Sequence, residues 1–166
     1  MSLPNEINPQ LLASSAGYTI DNSLRFRSSA SAYLSRTTGS GNTQKWTWSG
    51  WLKFGYSSSY YTIFDGGSTD VRFGLNPSTN QLYVNSDTTN YIITTSVYRD
   101  YSAWYHAVLA FDSSQGTASN RLRLYINGTE VTAFGTDNRS SISGAIGINT
   151  ATAHGIGRQA TGGSAY

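Results

Sequence analysis

Side chains able to do chemistry are scarce in this sequence, and their spacing narrows what they could do. Hydrolysis of a glycosidic bond usually needs two carboxylates flanking it, one an acid and the other a nucleophile or base. The two glutamates are Glu6, close to the N-terminus, and Glu130, just after an Asn-Gly step, so no strand carries a pair. His106 lies in an apolar run and reads as a packed, hydrogen-bonded core residue rather than a general base. His154 lies in a Gly-rich stretch with no partner near it in sequence. No Gly-x-Ser-x-Gly elbow occurs, which removes support for a nucleophilic triad. Gly155-Ile-Gly-Arg-Gln-Ala160 spells the dinucleotide fingerprint, but that mechanism needs a following helix and an acidic residue further on. Thr161–Tyr166 supplies neither, so these glycines read as bends or points of close backbone approach. The expectation is a protein that is not an enzyme.

Residues suited to binding are more numerous. Asp65 and Asp70 bracket Gly66-Gly-Ser-Thr69. With loop carbonyls they would make an oxygen donor set for calcium, which takes several oxygens in a flexible loop. The simpler reading is a hairpin turn in which Asp65 caps its own backbone. No other cofactor is indicated. Tyr56, Tyr60 and Tyr61 share the loop Tyr56-Ser-Ser-Ser-Tyr-Tyr61, while Trp51, Tyr83 and Tyr91 fall on strand faces opposite the core positions. Sugars stack on flat rings while a few polar groups fix orientation. Tyr is equally favoured in protein contacts. These six residues are the candidate contacts for a glycan or a neighbouring subunit. Asn127-Gly-Thr129 and Asn138-Arg-Ser140 fit the glycosylation sequon, the first being accounted for by its turn.

The elements that must position these residues are strands. In 166 residues, charged side chains make up 12% and aromatics 13%, with no cysteine and a net charge of +2. Disorder would need few rings and a high net charge, and helical bundles need Glu and Lys, of which there are two each. Disulfide scaffolds and thiolate zinc sites are excluded. No apolar run approaches a membrane span, and Met1–Gln10 lacks the basic and apolar regions of a signal peptide. The charge is too small and the arginines too dispersed for nucleic acid to be the main partner. A single all-β domain remains, with few of the long charged side chains that are costly to order and desolvate against neighbours.

Residues 1–22 carry Pro4 and Pro9 and no sustained alternation, and read as an arm with at most one short helix around Gln10–Ala16. Its apolar residues Leu3, Ile7, Leu11, Leu12 and Tyr18 favour a docking segment over a free linker. From Ser23 onward short alternating runs follow, separated by turn residues. Leu24 and Phe26 alternate with arginines; Trp46, Trp48, Gly50, Leu52 and Phe54 share one face of the next run. Further runs are Tyr61–Asp65, then Val71, Phe73 and Leu75 with Arg72 and Gly74 opposite. Leu82 and Val84 follow, with Tyr83 and Asn85 facing away, and then Tyr91–Thr95. Asn76–Asn80 reads as a turn. Trp104–Asp112 is nearly continuous in apolar residues, which predicts a central strand covered on both faces. Arg121–Ile126 alternates cleanly into Asn127-Gly128, the type I′ signal that closes a hairpin onto Glu130-Val131. Weak strands are expected at Ile146–Ile148 and Gly155–Gly157.

Taken in order, Ser23-Leu-Arg-Phe26 with Tyr33-Leu34, Trp46-Thr-Trp-Ser-Gly-Trp-Leu-Lys53, Trp104–Asp112 and Leu122-Arg-Leu-Tyr-Ile-Asn-Gly128 resemble the laminin-G-like branch of the concanavalin A-like jelly rolls. The resemblance spans roughly residues 23–158. It implies a two-sheet antiparallel jelly-roll sandwich over residues 23–166 behind the arm of residues 1–22. In that family many members bind calcium near a rim loop, the Trp-x-His histidine is usually structural, and the related glucanases set two Glu and an Asp on one strand, a pattern missing here. A final family strand that pairs near the N-terminal strand is also missing. The resemblance therefore implies an unpaired Leu24–Phe26 edge and a longer native protein.

Asp21–Thr38 followed by Lys45–Lys53 is similar to domains in structural proteins of marine and cyanobacterial tailed phages. This likeness implies a virion structural protein, a tail fibre or capsid appendage, located on the particle surface. It would dock to other virion proteins through the arm, form a homo-oligomer, and meet host-surface glycan, with neither nucleic acid nor membrane insertion. The alternatives are a soluble lectin-like carbohydrate-binding module and a divergent glycan hydrolase.

Overall fold

The computed structural model describes residues 23–56, 60–67 and 71–158. The arm anchors Leu3, Ile7, Leu11, Leu12 and Tyr18, the helix expected around Gln10–Ala16, and Asp70 lie outside these residues.

Eleven strands form among the described residues: β1 (Leu34–Thr37), β2 (Lys45–Leu52), β3 (Tyr61–Asp65), β4 (Arg72–Asn76), β5 (Gln81–Asn85), β6 (Asn90–Val97), β7 (Tyr105–Asp112), β8 (Leu122–Ile126), β9 (Thr129–Glu130), β10 (Phe134–Asp137) and β11 (Ala153–Ile156). They make two antiparallel sheets, one of seven strands in the order β1-β11-β3-β4-β5-β6-β10 and one of four, β2-β7-β8-β9. This is the two-sheet antiparallel jelly-roll sandwich expected.

Alternation explains how the sheets face each other. Phe73, Leu75, Leu82, Val84 and Ile92 leave the seven-stranded sheet on one side. Trp46, Ala107, Leu109, Phe111, Leu122 and Leu124 leave the other sheet toward them. Each large side chain so buried contributes about 1.5–3 kcal/mol. Trp46 stacks on Phe111 at 4.9 Å within one sheet, and Trp48 reaches across to Phe73 at 5.3 Å. Turn chemistry closes the hairpins. Asn80 (φ 56°) ends the β4–β5 turn, where the Asn76 Oδ1 accepts the Ser78 N–H at 3.0 Å. Asn127 and Gly128 both take positive φ between β8 and β9.

Four expectations need correction. Leu24–Phe26 is not a strand: Leu24 is exposed, Phe26 packs on Gly157, and the Arg27 carbonyl accepts the Ala30 and Ala32 amides to turn the chain. The seven-stranded sheet instead begins with β1, paired to β11 with Leu34 opposite Ile156. Ile146–Ile148 also forms no strand, because Gly147 (φ 82°) and Asn149 (φ 61°) break the extended backbone. Its isoleucines still enter the core, beside Gly66, where a Cβ would come within 2.8 Å of Ile148.

Third, β7 is buried on one face alone: Ala107, Leu109 and Phe111 point inward, while His106, Val108, Ala110 and Asp112 line a half-exposed outer face. Small side chains there give an apolar run without a covering layer. His106, expected in the core, belongs to that outer face, where its ring lies 5.0 Å from Trp51. The strand β10 answers to no expectation, since Phe134 is its one large apolar residue.

Candidate functional site

On the outer face of the seven-stranded sheet, β4 and β5 present the residues that alternate with the core set. Arg72, Gly74 and Asn76 stand on β4; Gln81, Tyr83 and Asn85 stand on β5. In the hairpin register Gly74 is directly opposite Tyr83, Arg72 opposite Asn85 and Asn76 opposite Gln81. The Tyr83 ring therefore folds across β4 over the space Gly74 leaves open, and its hydroxyl lies 3.4 Å from the Tyr61 carbonyl oxygen. A Cβ on residue 74 would fall onto that carbonyl and onto the Tyr83 hydroxyl. Tyr83 is thus 7% exposed although it faces away from the core.

Around this floor lies a groove of about 380 Å³ lined by Tyr60, Thr62, Arg72, Asn76, Tyr83, Asn85, Asn90 and Ile93. Tyr60, 54% exposed, forms one wall; its ring meets Tyr83 edge-on at 5.9 Å, and the Asn76 Nδ2 donates to its hydroxyl at 3.1 Å. The charge is confined to one end. The Arg72 guanidinium lies 3.6 Å (Nε) from the buried Asp65 carboxylate and pairs through Nη2 with the exposed Asp87. The Asn85 Oδ1 is buried with no hydrogen-bond partner among the described residues. A buried acceptor left unpaired costs free energy.

The candidate residues read from the sequence divide over the molecule. Tyr60 and Tyr83 meet in the groove, as wall and floor. Trp51, 53% exposed, lies on the outer face of the other sheet against His106. Tyr56 is 86% exposed on the loop after β2, away from the groove lining. Tyr61 is half-buried beside Phe54 and donates to the Gly55 carbonyl. Tyr91 does not face away from the core as expected: it packs against the core cluster. The cause is a register shift, in which Val84 pairs Ile92 but Asn85 pairs Asn90, leaving Tyr91 as the extra residue of a bulge.

Asp65 is committed to its own turn. Its Oδ1 accepts the Gly67 N–H at 2.7 Å, the expected cap on its own backbone, and its Oδ2 lies 3.6 Å from the Arg72 Nε. No group of three His, Cys, Asp or Glu side chains is placed to hold a metal ion among the described residues. His154 has partners that its sequence position hid. The buried ring accepts the Asn149 N–H at Nε2 (3.2 Å), which leaves Nδ1 to donate to the Thr152 carbonyl at 3.0 Å.

Sequence reasoning concentrated on rings and missed the amides Asn76, Asn85 and Asn90, together with Thr62 and Arg72. The signal was available: alternation already set Arg72 and Asn85 on the non-core face. Adjacent strands with polar outward positions make a polar surface that rings alone do not reveal.

A second recess of about 490 Å³ lies on the outer face of the four-stranded sheet, lined by Lys45, Thr47, Ala110, Asp112, Arg123 and Tyr125 among others. Its charges are paired: Lys45 meets Asp112 at 3.3 Å and Arg123 meets Glu130 at 3.8 Å, while Arg123 Nη2 donates to Asn120 at 2.6 Å and its Nε is buried without a hydrogen-bond partner among the described residues. Hydrogen bonds from Ser114 and Gln115 hold the Asp112 carboxyl well below its ordinary range.

These features define a class: a jelly-roll sandwich with a groove of rings and amides on one sheet face. A laminin-G-type family model described as the concanavalin A-like lectin/glucanases superfamily matches residues 27–166, and the chain belongs to that superfamily. No curated protein matches the chain.

Proposed function

We propose that this domain is a non-enzymatic binding module that takes carbohydrate into the groove over β4 and β5. The carrying observation is the groove itself: an exposed Tyr60 ring for stacking, a Tyr83 floor, and the amides of Asn76, Asn85 and Asn90 beside it. The carboxylates next to it, Asp65 and Asp87, are both engaged by Arg72, which supports binding without bond cleavage. Glu130 stands on β9, in the other sheet.

The isolated domain should bind members of a glycan array and release no sugar from them. Tyr60→Ala should weaken that binding about tenfold, as loss of one stacked ring allows, whereas Trp51→Ala, on the opposite sheet, should not. Failure to bind any glycan, or release of reducing sugar, would overturn the reading.

The setting is a tailed-phage particle, with the domain part of a fibre or head-surface appendage. The likeness of Asp21–Thr38 and Lys45–Lys53 to phage structural domains supports it. In this reading residues 1–22 dock to other virion proteins, copies of the chain associate, and many weak sites on one particle multiply the affinity for host glycan. Mass spectrometry and imaging of purified particles test the location, and deletion of residues 1–18 tests docking. A chain absent from particles would leave the second reading, a soluble lectin-like module using the same groove.

A further inference from the structure

We infer that the groove selects uncharged glycan and that Asp87, by occupying Arg72, sets this selectivity; the inference rests on the carbohydrate reading above. Recognition of carboxylated or sulfated sugars uses Arg or Lys donors presented to the ligand, often in pairs. Arg72 is the one cationic side chain among the described lining residues, and two carboxylates already meet it: buried Asp65 at 3.6 Å and Asp87 through Nη2. Its side chain is 17% exposed, whereas that of Asp87 is 56% exposed, so the charge that this end shows to solvent is negative. An anionic ligand entering here meets like charge, which a binding site uses to reject it.

The remaining polar lining points the same way. Asn76, Asn85 and Asn90 each carry an amide, which both donates and accepts, as sugar hydroxyls do. A sugar hydroxyl can meet either end of such an amide, whereas a carboxylate or sulfate, being acceptor-only, can be met through the amide N–H groups alone. Rings, amides and an occupied cation together fit a neutral, hydroxyl-rich chain.

The test presents the protein with an array of neutral oligosaccharides, each beside a carboxylated or sulfated counterpart of the same backbone, such as dextran with carboxymethyl-dextran and dextran sulfate. Neutral members should bind with affinity unchanged between low and high salt, and their acidic counterparts about tenfold or more weakly. Asp87→Asn, a change at an exposed position, should narrow that gap several-fold and make the acidic binding salt-dependent, while Asn85→Ala should weaken the neutral ligand. Preferred binding of acidic members by the wild-type protein, or a gap untouched by Asp87→Asn, overturns the selectivity and leaves the carbohydrate reading standing. Binding of no member at all overturns the carbohydrate reading, and this inference falls with it.

Discussion

Gly74 and Tyr83 work as one unit of the groove. Glycine in a central strand weakens it through backbone entropy and a missing side chain, yet here the missing side chain is what lets the Tyr83 ring lie flat across β4. Gly74→Ala puts a methyl where the Tyr83 hydroxyl and the Tyr61 carbonyl already stand, so the ring must lift and the β3–β4 ladder must give. Overpacking of this kind costs about 1–3 kcal/mol, measurable as a lower urea midpoint at unchanged slope. The lifted ring would also fill the groove and weaken ligand binding in the same variant. Alternation gave both residues their outward direction, and the Asn76–Asn80 turn made their strands hairpin partners. The ring's collapse over Gly74 was hidden, because it depends on cross-strand register rather than on either residue's own pattern. Tyr91 shows the opposite failure: a bulge reverses a face, and no periodic rule anticipates where one residue will be left over.

Arg139 joins elements that strand pairing leaves separate. Its side chain is buried, holds Asp137 at 2.8 and 2.5 Å, donates to the Ser119 and Leu122 carbonyls at 2.8 and 3.2 Å, and lies 4.7 Å over the Phe134 ring. Those partners span β10 of the seven-stranded sheet and the start of β8 in the other sheet, so one guanidinium fastens the two sheets at this end. Arg139→Ala would leave two carbonyls without their donor and Asp137 without its cation. We expect a loss of about 2–4 kcal/mol, read by chemical denaturation, with Arg139→Lys recovering little because the fork geometry is lost. Elements with strong alternation were legible in advance, β4 and β8 among them, as was the β8–β9 turn from its Asn127-Gly128 step. β10 was not: Phe-Gly-Thr-Asp carries a single large apolar residue, and its place beside β6 comes from contacts such as Asn138 Nδ2 to the Asn90 carbonyl, distant in sequence. The Ile146–Ile148 segment carries a strand-like pattern with a different cause. Its isoleucines alternate because they fill the end of the core, while positive φ at Gly147 and Asn149 keeps the segment out of any ladder.

At the scale of the whole molecule, the sparse charges act together in acid. Asp137 is held below its ordinary value of 3.8, first by the hydrogen bond from Arg139. Asp100 is lowered by the Ser102 side-chain hydroxyl and backbone amide, and Asp112 by Ser114 and Gln115. All three shifts are downward, so the folded state releases these protons more readily than the unfolded chain does. A depressed carboxylate stabilises the fold above its unfolded pKa, and that contribution disappears as pH falls through its folded pKa. Stability should therefore be level from neutral pH down to the ordinary carboxylate range and decline below it. Asp100 is exposed and Asp112 pairs the exposed Lys45, whereas the Arg139 partner of Asp137 is buried, so the Asp137 contact should carry a distinct share of the decline. Thermal unfolding followed from about pH 7 to about pH 3 checks this: the wild-type midpoint should fall in the acid limb, and Asp137→Asn should start lower at neutral pH and fall less. Equal acid slopes in the two proteins would show that the Asp137–Arg139 contact carries none of the linkage.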